Sequence, residues 1–312
     1  MKVLIFIISV LLLILFASYL NHRIRLRKEE KLLVPLGQIV KVNGHNMSVY
    51  AEGTGSKTLV FMSGAGTCSP ILDFKSLYSL LSNEYRIVVV EKFGYGFSDV
   101  VNKERSIDSI LADTRAALHS AGIEAPYILC PHSMSGLEAL YWAHQFPEEV
   151  SAIIGLDMAV PQYYEHMNIN PSLIGIGQWA AKLGITRLIP GISESAAIKY
   201  GTLTDEEKEL YRAIFYNRTA TTTMINETKA VKENAKNVES LGTPQLPILL
   251  FISDGSGGTG FDKETWRRIP KEYISSVKDG KYLELDCPHY VHDYKYEAIS
   301  KSIIDFLKYL LE

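Results

Sequence analysis

The sequence predicts an α/β fold in which a mostly parallel sheet carries helices on both faces. Short apolar segments of the kind that form buried strands recur at 58–62, 86–90, 127–131, 150–156, 246–252 and 282–286. Segments with helical spacing of apolar residues separate several of them, at 71–81, 107–121 and 297–311. Strands that alternate with helices are typical of parallel sheets, because each helix carries the chain back across the sheet. An opening pair at 38–42 and 47–51 turns at Asn43-Gly44 and predicts an antiparallel hairpin at one edge.

One long interval interrupts this alternation, at about 161–243. It contains prolines and a helix start near Thr204, where Glu207 completes a capping-box pattern. Because the strand pattern resumes afterwards, we expect a helical cap inserted in one domain that spans 38–312. A separate small domain is the alternative.

The first 20 residues are almost unbroken Val, Leu, Ile and Phe from position 3 onward, which is about the length that crosses a bilayer as a helix. We interpret 1–20 as a transmembrane or signal-anchor helix; a cleaved signal peptide and a buried core helix are the alternatives. The segment 21–37 is predicted to be a basic juxtamembrane linker. Its excess of Arg and Lys favours a single-pass N-terminal anchor with the domain at 38–312 on the cytoplasmic side, although a large domain can override this bias.

Charge and cysteine content exclude several classes of function. The net charge of −3 gives no reason to expect a nucleic-acid partner. Cys68, Cys130 and Cys287 are odd in number, widely spaced and without metal-ligand spacing. We expect these cysteines to be small apolar residues that pack in the core. Their number and spacing favour neither a disulfide framework nor a metal site.

Residues 127–140 combine a strand-like run with a helical one, and Ser133 stands in the turn between them. A strand that turns sharply into a helix and lifts a serine into solvent is a nucleophile elbow. In this stretch the chain resembles the α/β-hydrolase family, whose pattern is small-x-Ser-x-small. Pro131 and Ser135 replace the usual glycines, and Gly136 follows directly.

The resemblance extends to other segments in the family's order. Residues 91–99 resemble the family's Asp-x-x-Gly-x-Gly-x-Ser segment, with Glu91 in place of Asp. The family's serine is followed by an acid and then by a histidine near the C-terminus. His289, in 287–293, fits that histidine; the alternative is His292, which we expect to line the pocket or pair with Asp293.

The acid has two candidates. Most members of the family place it after the penultimate strand, where Asp254 stands. A minority place it after the strand that follows the elbow helix, where Asp157 stands in a segment that resembles the Gly-Leu-Asp-Pro-Ala of pancreatic-type lipases. We favour Asp157 and keep Asp254 as the alternative.

By the same resemblance, the oxyanion donors would be the backbone amides of Met134 and Ala65, in the loop 63–66. That loop has neither the GxxxxGK[ST] nor the GxGxxG spacing of phosphate-binding loops. The resemblance therefore implies a serine hydrolase that cleaves a carboxylic ester, or a related acyl bond, of a small-molecule acyl substrate. The apolar N-terminal segment adds the expectation of a membrane anchor. No metal or organic cofactor is implied. An acyltransferase on the same scaffold and a binding protein that has lost turnover are the alternatives.

Overall fold

A computed structural model, which describes residues 1–167 and 171–310, places the strands in one eight-stranded sheet. The strand order is β1-β2-β4-β3-β5-β6-β7-β8. The strands are β1 (Gln38–Val42), β2 (His45–Glu52), β3 (Thr58–Met62), β4 (Arg86–Glu91), β5 (Tyr127–Pro131), β6 (Val150–Leu156), β7 (Ile248–Ile252) and β8 (Gly280–Glu284). The pairs β1–β2 and β2–β4 are antiparallel, and the remaining pairs are parallel. The predicted fold class, with its antiparallel opening hairpin, is confirmed.

Apart from the N-terminal helix α1, the helices of the described residues cover the two faces of this sheet or form the inserted cap. They are α1 (Lys2–Glu29), α2 (Pro70–Asp73), α3 (Lys75–Tyr78), α4 (Ile107–Ser120), α5 (Ser135–Gln145), α6 (Tyr163–His166), α7 (Pro171–Lys182), α8 (Ala196–Tyr200), α9 (Asp205–Arg218), α10 (Thr222–Glu239), α11 (Lys263–Ile274), α12 (Val291–Tyr294) and α13 (Tyr296–Tyr309). Short 3₁₀ turns lie at Glu30–Leu32, Pro147–Glu149 and Ile185–Leu188.

The central strands are apolar throughout because both of their faces are covered. In β3, Leu59 and Phe61 pack into the cluster on one side of the sheet, whereas Val60 and Met62 pack into the cluster on the other side. Successive side chains of a strand point to opposite faces, so a strand between two helical layers needs apolar residues at every position.

The helix predicted at 71–81 is instead two short helices, α2 and α3, with Phe74 between them. The Phe74 side chain is fully buried, and its ring lies 5.3 Å from the ring of Phe61 and 4.7 Å from that of His292. The break between the helices thus places this aromatic ring in the core. The spacing of apolar residues along the chain does not predict such a tertiary contact.

The N-terminal helix continues beyond the apolar run. Its range of 2–32, which includes a final 3₁₀ turn, is long and apolar enough by length and composition to cross a membrane. The segment 21–37, predicted to be a linker, therefore begins as helix. The physical reason is that no glycine or proline occurs in it before Pro35, so nothing interrupts the helical hydrogen bonds.

The described helices α6 to α10 lie between β6 and β7, in the interval where the sequence predicts a cap. Helix α9 begins with the predicted capping box: the Thr204 hydroxyl accepts from the Glu207 amide, and the Glu207 carboxylate accepts from the Thr204 amide. A buried ion pair joins the cap to the core. Lys92 Nζ, after β4, lies 2.5 Å from Glu227 Oε1 on α10, and the Tyr95 hydroxyl donates to Glu227 Oε2 at 2.9 Å.

We expect Glu227→Gln to lower the free energy of unfolding by about 3 kcal/mol, because it removes the nearer carboxylate from the buried Lys92 ammonium and leaves the more distant Glu138 carboxyl group, at 3.9 Å. Urea denaturation measures the change. Glu272→Gln is the matched control, since it breaks an exposed pair with Arg268 and should cost less than about 1 kcal/mol. Equal losses in the two variants would contradict this account of cap docking.

A second buried carboxyl group gives a pH dependence. Glu91 is fully buried and accepts a hydrogen bond from the Phe97 amide at 2.8 Å. Burial raises its pKa to about 7. A Cβ atom at Gly96 would lie 1.9 Å from Glu91 Oε1, which explains the glycine at that position.

Because Glu91 in the unfolded chain ionises near pH 4.5, while in the folded chain it stays protonated to about pH 7, its contribution to stability is present below pH 4.5 and lost as pH rises through 7. We expect Glu91→Gln to remove this pH dependence. Between pH 4.5 and 8, the free energy of unfolding of the wild type should therefore fall by on the order of 3 kcal/mol more than that of the variant. Denaturation of both proteins across that range tests it. Parallel pH profiles for the two proteins would refute it.

Candidate active site

Ser133 occupies the sharp turn between β5 and α5. Its φ angle is 54°, in the left-handed region that non-glycine residues rarely adopt. The neighbouring backbones approach closely: a Cβ at Gly64 would lie 2.6 Å from Ser133 Cβ, and a Cβ at Gly136 would lie 2.2 Å from the Ala159 oxygen. Glycine is therefore required at 64 and 136 if the serine is to keep this position.

The two residues that replace the usual glycines have local explanations. The Ser135 hydroxyl lies 2.6 Å from the Met62 oxygen and 2.8 Å from the His132 oxygen, so it ties the turn to the end of β3. The His132 amide donates to the same Met62 oxygen at 2.9 Å. Because successive amides of a strand point to opposite neighbours, the amide that Pro131 lacks would face β6. The pairing of β5 with β6 ends at Leu129 and resumes only in an isolated bridge at His132, so Pro131 lies in the gap between them.

The structure brings Ser133, His289 and Asp157 together. His289 Nε2 lies 2.9 Å from Ser133 Oγ, and His289 Nδ1 lies 2.6 Å from Asp157 Oδ2. A carboxylate can only accept, so Nδ1 carries the ring proton and Nε2 accepts from the serine hydroxyl. His289 and Asp157 are buried.

Asp157 directly follows β6 and is held by three further groups. Its Oδ1 accepts from the Ser253 amide at 2.7 Å, and the Trp266 indole lies 3.0 Å and 3.2 Å from its two oxygens. Its backbone, with φ 51°, is also left-handed. Asp254 stands elsewhere, with Oδ1 accepting from the amide and hydroxyl of Ser256. Of the two candidate acids, Asp157 is therefore the one within hydrogen-bond distance of His289.

Two further histidines lie behind His289. The His132 ring lies 4.6 Å from the His289 ring, with the two planes tilted by 39°. Burial, with the charges of His289 and His292, holds the pKa of His132 well below its usual value. His132 is therefore neutral. His292 was expected to line the pocket or pair with Asp293; instead its Nε2 donates to Asp73 Oδ2 at 3.1 Å. The physical reason is the break after α2, which carries Asp73 into the core beside it.

Within the described residues, Asp73, His292 and Asp293 form a cluster with the donor types for a metal. Each offers a ligand atom, these atoms lie within 4.8 Å of one another, and all three residues are fully buried. The Tyr211 hydroxyl also donates to Asp73 Oδ1 at 3.0 Å. Burial and the neighbouring charge of Asp73 raise the pKa of Asp293 well above its usual range, so a neutral Asp293 accounts for the pairing without a cation.

Ser133 and His289 open onto a cavity of about 220 Å³. Ala65 and Met134, the predicted oxyanion donors, line the same cavity. Helix α5 begins two residues after Ser133, so the positive end of its dipole favours negative charge there. The other walls are largely apolar and aromatic, and include Tyr163, Tyr164, Met167, Val231 and Trp266.

Comparison with known proteins shows the family to which the chain belongs. A family model described as alpha/beta hydrolase fold matches residues 57–173. YbdG of Bacillus subtilis (strain 168), an uncharacterized protein, is 34% identical over 311 residues, which cover 96% of this chain and 94% of YbdG. The chain belongs to the α/β-hydrolase family. The resemblance noted in the sequence is thereby confirmed.

Solved α/β-hydrolase structures share the fold at low identity. The enol-lactonase from Burkholderia xenovorans LB400 has a TM-score of 0.65 at 17% identity, covering 87% of this chain and 100% of the lactonase. The haloalkane dehalogenase DbeA from Bradyrhizobium elkani USDA94 gives 0.66 at 17%, covering 87% and 97%. A putative lipase from Acinetobacter baumannii AYE gives 0.66 at 15%, covering 92% and 95%. This α/β hydrolase therefore shares its scaffold with proteins of different named activities.

Sequence reasoning missed Trp266 and the residues of the cap that line the cavity. Trp266 lies on α11, whose start carries a readable signal: Asp262 caps the helix by accepting from the Thr265 amide at 2.9 Å. That signal predicts a helix, but the contact of the Trp266 indole with Asp157 depends on the packing of α11 beside β7 and β8.

Proposed function

We propose that this α/β hydrolase is a serine hydrolase that cleaves a carboxylic ester through an acyl-enzyme. The observation that carries the proposal is the hydrogen-bonded series from Ser133 Oγ through His289 to Asp157, with separations of 2.9 and 2.6 Å. An activated serine needs a base within hydrogen-bond reach and a group that orients the base, and these distances meet both requirements. A serine at the elbow also argues against the aspartate-nucleophile chemistry of other members of the family.

Acylation follows from the positions of the ring nitrogens. His289 Nε2 takes the Ser133 proton as Oγ bonds to the substrate carbonyl carbon, and the carbonyl electron pair moves to its oxygen. The amides of Ala65 and Met134 would stabilise that oxyanion, helped by the dipole of α5. The oxyanion then re-forms the carbonyl, the bond to the leaving oxygen breaks, and Nε2 returns its proton to the departing alcohol.

Deacylation repeats these steps with water. Nε2 takes a proton from water as its oxygen bonds to the acyl carbon. The tetrahedral intermediate collapses, the bond to Oγ breaks, and Ser133 regains its proton from His289. The Asp157 carboxylate holds Nδ1–H and stabilises the imidazolium in both halves of the reaction.

The cavity supports a short, partly apolar substrate. Its volume of about 220 Å³ is below the ~300–1,000 Å³ typical of drug-sized ligands. Its aromatic walls suit an apolar acyl or alcohol group, and neutral His132 adds no charge behind the reacting atoms.

We further propose that α1 anchors the enzyme in a membrane, with the catalytic domain on the cytoplasmic side. The apolar length of the helix supports the anchor, and the basic residues that follow the apolar run support the orientation. Contacts between α1 and the cap support its retention in the mature protein: Ser18 Oγ donates to the Leu183 oxygen at 2.9 Å, and Arg187 makes a bidentate pair with Glu29.

A fluorophosphonate probe should label the wild-type protein, because its phosphorus is attacked by an activated serine, and Ser133→Ala should abolish the labelling. Turnover of p-nitrophenyl esters by the same two proteins measures hydrolysis. An unlabelled wild type would overturn the enzyme assignment in favour of a binding protein. Labelling without ester turnover would point to acyl transfer to an acceptor other than water.

We expect Asp157→Asn to lower kcat by on the order of 10⁴-fold, since the amide NH2 group can donate to Nδ1 and so favour the wrong tautomer of His289, and the neutral amide does not stabilise the imidazolium. Asp254→Asn is the matched control and should leave kcat nearly unchanged, because its carboxylate bonds only its own turn. The reverse order of effects would exclude Asp157 as the triad acid.

A further inference from the structure

The cap presents apolar side chains to solvent beside the N-terminal helix. On α7, Ile176 and Trp179 are 64% and 67% exposed. They are three positions apart and so share one face of the helix. After α7, Leu188 and Ile189 are 57% and 49% exposed. Exposed aromatic and aliphatic groups so close together mark an interaction surface.

The position of this surface relative to α1 is set by close contacts. The Ser18 hydroxyl bonds the oxygen of Leu183, immediately after α7, and a Cβ at Gly184 would lie 2.4 Å from His22 Cβ. Arg187 donates to His22 Nδ1 at 2.9 Å as well as to Glu29. Helix α1 is thus fixed to the cap from residue 18 to residue 29.

These contacts lie at the level where α1 would leave a bilayer. A hydrocarbon core of about 30 Å requires about 20 helical residues at 1.5 Å each. Counted from the helix start at Lys2, the exit falls near Asn21, between Ser18 and His22. The cap residues Leu183 and Gly184, which contact α1 there, therefore lie at the membrane surface.

We propose that the exposed face of α7, with Leu188 and Ile189, inserts into the interfacial layer of the membrane that α1 crosses. The inference rests on the proposed anchoring role of α1. Tryptophan is enriched at this depth of membranes, and the exposed Lys182 at the end of α7 can extend toward lipid head groups.

The insertion would place the active-site cavity near the lipid surface. Met167 lines the cavity, and α7 begins four residues later, a chain length that spans at most about 14 Å. On the inner side of α7, Gln178 Nε2 donates to the Ala220 oxygen, just before α10. Thr228 and Val231 of α10 line the same cavity. Esters that partition into the membrane surface would thus be concentrated near the entrance to the cavity.

The tryptophan content of the chain provides a direct test. Of the three tryptophans, Trp142 and Trp266 are buried and Trp179 is exposed. The fluorescence of Trp179 is the difference between the emission of the wild type and that of Trp179→Phe. In nanodiscs that contain the full-length protein, brominated phospholipid should quench most of this difference. If this fluorescence is the same with brominated and unbrominated lipid, the proposal is overturned.

A second measurement uses thiol labelling, because the three native cysteines are buried. A membrane-impermeant maleimide should label Ile176→Cys slowly in nanodiscs, and should label the control Leu80→Cys, at a 45% exposed position, rapidly. Equal labelling rates would contradict insertion. Protection of Ile176→Cys without quenching of Trp179 would assign the surface to a second copy of the chain and overturn the proposal.

Failure of the anchor is distinguished by flotation with lipid vesicles. Full-length protein that does not float with vesicles would overturn both the anchor and the insertion. Protein that floats while Trp179 remains unquenched would overturn the insertion alone. None of these readouts depends on hydrolysis, so a failure of the proposed ester chemistry is recognised separately by the fluorophosphonate assay.

Discussion

The left-handed backbone of Ser133 is the constraint on which the site depends. A non-glycine residue held in that conformation costs on the order of 1 kcal/mol or more, and it persists only where surrounding structure enforces it. Here the enforcement comes from β5 beneath the turn, from the Ser135 hydroxyl bound to β3, and from the close approach of Gly64 and Gly136 to their neighbours. The same geometry raises Oγ toward His289 and directs the start of α5 at the cavity.

The second requirement is a fixed carboxylate behind the histidine. Asp157 is almost completely buried, so its oxygens need partners within the protein. The Ser253 amide, the Trp266 indole and His289 provide them, and these groups come from three separate segments of the chain. The carboxylate is thereby oriented by the packing of β6, β7 and α11 rather than by its own loop.

The cap contacts both the active-site cavity and the N-terminal helix. Its α10 is tied to the core through the buried pair of Lys92 and Glu227, and it provides part of the cavity wall. Its α7 and the following turn contact α1 through Leu183 and Arg187. The region that shapes the cavity is therefore the region that also meets the proposed anchor. Under the proposed anchoring, this arrangement would link access to the cavity with position on the membrane.

The sequence by itself determined the strand pattern, the hairpin, the position of the cap interval and the candidates Ser133 and His289, because period-two and helical patterns and turn residues act locally along the chain. It left Asp157 and Asp254 both open, since either aspartate follows a strand of the same sheet. It also missed Trp266 and the pairing of His292 with Asp73. Only the tertiary structure decided these points, because a hydrogen bond between residues more than 100 positions apart depends on how helices and strands pack, and local patterns carry no record of that packing.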